Sequence, residues 1–86
     1  MGKTLVIYKI NAKDMEKIGE VLEVIKGIKN GEYRDARKEP IGFGIEIIKA
    51  AFTVPEKDDN AIDTLTEELN SLELIEDAEV TEMTLL

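Results

Sequence analysis

Apolar residues recur along this chain in two rhythms. From Thr4 to Ile10 they alternate, with Val6, Tyr8 and Ile10 on one side and Leu5, Ile7 and Lys9 on the other. Period two predicts a strand with one apolar face and one mixed face. Asn11 to Asp14 is polar, and Asn11 or Asp14 can cap a helix. The spacing then changes to three and four: Met15, Ile18, Leu22 and Ile25 form a stripe, widened by Val21 and Ile28, with Lys and Glu opposite. Gly27 and Gly31 bracket the end of this predicted helix. Tyr33 to Lys38 is short and charged, with Tyr33 and Ala36 its only inward candidates, as suits an exposed sheet edge.

The stretch Glu39 to Glu56 organises the rest. Pro40 fixes its own φ, and Gly42 and Gly44 permit positive φ, which predicts a bend ahead of a strand over Ile45–Val54. In that strand Ile48, Ala50, Phe52 and Val54 share one face, and Ile45, Ile47, Lys49, Ala51 and Thr53 the other. Pro55 ends it. Phe43, set between the two glycines, either projects outward or folds back over the sheet edge. Asp59 or Asn60 then caps a second helix carrying Ile62, Leu65, Leu69 and Leu72, with Asp63 beside the positive end of its dipole. Glu73 to Glu76 reads as a connection. Ala78, Val80, Met83, Leu85 and Leu86 predict a last strand, with a bulge where alternation breaks between Val80 and Met83.

The order β-α-β-β-α-β, with one apolar stripe per helix, predicts an α+β, ferredoxin-like sandwich in one domain over residues 1–86. Its four-stranded antiparallel sheet has the order 4-1-3-2, with both helices on one face. The other face carries Leu5, Ile7, Ile45, Ile47 and Ala51, open to docking or self-association.

Composition narrows the chemistry. The chain has no cysteine and no histidine, which removes disulfides, thiolate nucleophiles, imidazole acid–base catalysis and most zinc sites. No apolar run is long enough to span a membrane, so a cytoplasmic protein without membrane contact is expected. The net charge of −8 is unevenly spread: all eleven Lys and Arg precede residue 58, and residues 58–86 hold ten acids and no base. That balance argues against direct nucleic-acid binding and favours a basic partner surface. Gly42-x-Gly44 is no dinucleotide fingerprint, because Ile47 stands at the third glycine. Asp58, Asp59 and Asp63 lack calcium-loop spacing. No catalytic residue, cofactor or metal is expected.

Glu39-Pro40-Ile41-Gly42-Phe43-Gly44-Ile45, followed after the strand by Val54-Pro55-Glu56-Lys57-Asp58, resembles the signature of translation elongation factor 1-beta, in its stand-alone archaeal form. The resemblance implies a ferredoxin-like fold and guanine-nucleotide exchange on elongation factor 1-alpha, with no covalent chemistry. It implies that Phe43 docks on that GTPase, and that Pro40, Ile41, Gly42 and Gly44 shape the loop. Leu85 and Leu86 complete the expected partner-binding set, and the protein is expected to act as a monomer. One departure stands out. Eukaryotic members carry a lysine next to last, which intrudes on the magnesium and phosphate region, where this chain has Leu85. Three readings stay open: competition for phosphate-binding groups by Glu79, Glu82 or the terminal carboxylate, an apolar wedge of Leu85 and Leu86, or binding with slow exchange. A ligand-sensing or oligomerisation module is the alternative from another class, since fold alone assigns no function.

Overall fold

The computed structural model describes residues 2–58 and 60–86. Seven elements follow one another: β1 (Lys3–Ala12), a 3-10 turn (Met15–Lys17), α1 (Ile18–Ile25), β2 (Glu32–Gly42), β3 (Ile45–Pro55), α2 (Ala61–Ser71) and β4 (Ile75–Leu85). The strands form one antiparallel sheet in the order β2-β3-β1-β4, the predicted ferredoxin-like arrangement.

Register explains the core. Val6 pairs with Phe52, Tyr8 with Ala50 and Ile10 with Ile48, so the apolar sides of β1 and β3 merge into one surface. All six are fully buried. Ile18, Val21 and Ile25 of α1 and Ala61, Leu65 and Leu69 of α2 close over them as a single cluster. Each buried Val, Leu, Ile or Phe side chain among them contributes about 1.5–3 kcal/mol. Phe52 sits at the centre, edge to face with Tyr8 at 5.8 Å and with Tyr33 at 6.0 Å. The Tyr8 hydroxyl pairs with Thr66 Oγ1 at 2.7 Å, so its burial leaves no orphan. Burial still raises its pKa, against the opposing pull of that hydrogen bond.

Several boundaries differ from the pattern-based expectation. Asp14 does cap the first helical segment, accepting from the Glu16 amide at 3.0 Å, but that segment opens as a 3-10 turn and leaves Met15 exposed. Asn60 stands at the start of α2 without a side-chain cap bond, and the alternative cap, Asp59, lies outside the described residues. Strand β2 runs to Gly42, so Pro40 lies inside it, opposite Glu46. An edge strand tolerates a proline whose missing donor would have faced away from the sheet. Strand β4 begins at Ile75, not Ala78, and Ile75 is buried. Asn11 pairs with Asp77 and Ala12 with Ile75, so Glu76 is an extra residue whose bulge hides the alternation. The predicted bulge is present too: Ile7 pairs with Glu82 and Tyr8 with Val80, leaving Thr81 over, and its hydroxyl donates to the Ile7 carbonyl at 3.2 Å.

On the open face Ile47 and Thr53 are nevertheless 3% exposed. Thr53 pairs with Leu5 and Glu32, and the Glu32 carboxylate holds Lys3 at 3.1 Å and Arg34 at 2.7 Å. Long charged side chains can screen a central-strand residue in this way without a third layer. Elsewhere, Glu68 ties α2 to the loop before β2. Its carboxylate accepts from the amides of Lys29 (3.0 Å) and Asn30 (2.9 Å) and from the Asn30 side chain (2.8 Å). A Cβ at Gly31 in this loop would meet Leu65 Cδ2 at 2.9 Å, so any side chain there would push Leu65 aside.

Candidate docking site

Strands β2 and β3 are joined by Phe43 and Gly44 alone, with Gly42 paired to Ile45. Phe43 has φ 56° and Gly44 φ 76°, the two positive values that a two-residue type I′ hairpin requires. Asn, Asp or Gly ordinarily fill the first position. A phenylalanine there is strained by about 1 kcal/mol. Gly42 precedes it at φ 111°, a value that glycine adopts and other residues avoid. Burial does not compensate for the strain, because the Phe43 side chain is fully exposed at 104%. The ring projects outward; it does not fold back. Ile41, the extra residue of a bulge between Pro40 and Gly42, is exposed beside it, as is Ile45. The tip is thus an apolar point on a stiff, strained hairpin.

The C-terminal residues lie elsewhere. Leu85 pairs with Thr4, and the Leu86 amide donates to the Lys3 carbonyl at 2.9 Å. Lys3 pairs with Pro55, the far end of β3 from the tip. The nine residue steps from Glu46 to Pro55 correspond to about 30 Å of strand, in a molecule 42 Å along its longest axis. The predicted site residues therefore form two groups, Pro40 to Gly44 at one end and Leu85 with Leu86 at the other.

Sequence reading placed Met83 in the last strand but not in the site. It pairs with Val6 on the helix side, yet is 59% exposed, next to Leu85 and Leu86 at 67% each. The cause is length: both α2 and β4 have eleven residues, but a helix rises about 1.5 Å per residue and a strand about 3.3 Å. Helix α2 runs out before the end of β4, and the last apolar residues stand uncovered. Glu79 and Glu82 lie on the opposite, open face, pairing with Lys9 and Ile7.

That open face holds a shallow groove of about 580 Å³ lined by Ile7, Asp35, Arg37, Glu39, Lys49 and Glu82. Register sets Arg37, Lys49 and Lys9 side by side on three strands. Glu79 beside Lys9, and Asp35 and Glu39 flanking Arg37, offset much of its charge, so no concentrated charge is left to select an ion.

Known proteins resemble this chain. The profile of the EF-1 guanine nucleotide exchange domain matches residues 5–86. The chain belongs to that family. It is 34% identical over 86 residues to elongation factor 1-beta of Methanospirillum hungatei, covering both chains in full. It is 33% identical over 92 residues to elongation factor 1-beta of Metallosphaera sedula, covering 100% of this chain and 98% of that one. Among solved structures, the ACT domain from GTP pyrophosphokinase of Chlorobium tepidum superposes with a TM-score of 0.61 at 15% identity. It covers 94% of this chain and 100% of that one, and the likeness is one of fold alone.

Proposed function

We propose that this chain promotes GDP release from elongation factor 1-alpha and meets the GTPase with both ends of its sheet. The observation that carries the reading is Phe43, fully exposed at positive φ on a two-residue turn. Strain of that kind persists where the ring serves something outside the fold.

An exchange factor acts through linkage. It binds the nucleotide-free GTPase more tightly than the GDP-bound form, and by reciprocity weakens GDP binding by the same factor. The tip supplies an apolar anchor in Phe43, held by Gly42 and Gly44 and flanked by Ile41 and Ile45. Pro40 stiffens the approach. At the other end no base follows Lys57, so nothing stands in for the penultimate lysine. The exposure of Met83, Leu85 and Leu86 together supports the apolar wedge. Glu79 and Glu82 sit on the other face of β4 and are not part of that wedge.

Release of a fluorescent GDP analogue from the cognate elongation factor 1-alpha, followed with and without this protein, tests the proposal. Accelerated release supports it. A stable complex with unchanged release would leave a binding-only relative, and absence of any complex would end the reading.

A further inference from the structure

The two outer edges of the sheet are finished differently. Along an antiparallel strand every second residue turns its N–H and C=O away from the neighbour. On β2 two of the outward donors are closed off, with Lys38 left open between them. Asp35 Oδ1 accepts the Ala36 amide at 2.9 Å, Pro40 has no donor, and Arg34 forms a bulge. On β4 one position is closed. Asn70 of α2 accepts the Ala78 amide at 3.0 Å and donates to the Ala78 carbonyl at 3.1 Å, standing in for one residue of a further strand. Since the Leu86 amide bonds inward to Lys3, alternation turns the backbone of Met83 and Leu85 outward, and that of Val80 across the Thr81 bulge. Among the described residues nothing occupies these three. An unblocked edge beside exposed apolar side chains is what strand addition uses, and what soluble proteins otherwise avoid.

We propose that the outer edge of β4 from Val80 to Leu85 receives an extended segment of the GTPase as a fifth strand. This rests on the reading that the C-terminal end meets elongation factor 1-alpha, and adds the mode of contact. The edge also specifies the chemistry of the segment. Val80, Met83 and Leu85 lie on the helix side, and Glu79 and Glu82 on the open side, with no base from residue 58 onward to oppose a cation. A segment in which apolar residues alternate with Lys or Arg therefore fits, its apolar side chains extending the patch of Met83 and Leu85 and its cations facing Glu82.

Hydrogen–deuterium exchange on the wild-type complex tests this. The amides of Val80, Met83 and Leu85 gain protection on binding, while those of Glu82 and Thr84, which already face β1, change little. Met83→Pro removes one outer donor, and Met83→Ala only the side chain. Met83→Pro is expected to bind about tenfold more weakly than Met83→Ala, with thermal stability checked for both. A complex in which the three amides stay unprotected, or in which both variants bind alike, overturns strand addition and leaves the exchange function standing. Failure of the wild type to form any complex overturns both.

Discussion

Replacing Phe43 by asparagine separates what the ring does for the fold from what it does for a partner. With the side chain at 104% exposure, its removal forfeits no buried apolar area. The backbone gains, because asparagine tolerates the left-handed conformation that φ 56° demands, and Asn-Gly is a favoured pair for a type I′ hairpin. Relief of the strain is worth about 1 kcal/mol. In a domain of this size that raises Tm by about 5 °C. Binding moves the other way. A central aromatic anchor is worth roughly 2 kcal/mol or more, so Kd for nucleotide-free elongation factor 1-alpha rises about 30-fold. Thermal melts and a titration against the GTPase read the two effects separately. A more stable, poorly binding Phe43→Asn protein is the expected outcome. A Tm below that of wild type would mean that the ring supports the fold, and unchanged affinity would remove the tip from the interface.

Phe52→Ala, which empties the space between Tyr8 and Tyr33, is expected to cost about 3–5 kcal/mol, a large share of a small domain's stability, read by chemical denaturation. Glu68 contributes a pH dependence. Burial pushes its pKa up, but the amides of Lys29 and Asn30 and the Asn30 side chain outweigh that and hold it below the ordinary value of 4.5. A depressed carboxyl stabilises the fold fully above its unfolded pKa and loses that contribution as pH falls through the folded one. Glu68→Gln should therefore flatten the acid side of the stability profile. Leu85→Lys, at an exposed site, is expected to speed GDP release about tenfold if a cation at this position reaches the magnesium region; slower release would point to an apolar mechanism.

Much of this fold is legible in the sequence because its central strands have neighbours on both sides. Val6, Tyr8 and Ile10 alternate cleanly since each must reach the core, and the same holds for Ile48 to Val54. The Thr81 bulge was readable as a break in that rhythm. The Glu76 bulge was not, because Ile75 and Ala78 stand three apart and look like a strand start preceded by loop. Strand β2 outruns its prediction for a related reason. Lys38, Pro40 and Ile41 are exposed at an edge, where no burial pattern marks a strand. At the site, the residues of the tip announce themselves as Pro and Gly around an aromatic. The edge caps Asp35 and Asn70 do not, because each matters only through the backbone group that folding brings to it. The exposure of Met83 is hidden likewise, since it depends on where α2 stops.

The long sheet that outreaches its helices has a mechanical consequence. Tip and C-terminal end are joined by continuous hydrogen-bonded strands with no hinge between them, so the protein behaves as a fixed-jaw caliper about 30 Å wide. In the proposed two-ended contact neither end has to bind strongly, since seating one places the other at high effective concentration. A GTPase whose parts shift against one another can satisfy both jaws in only one arrangement. The arrangement that fits is the one whose population rises, and any nucleotide that prefers a different spacing is bound less well for it.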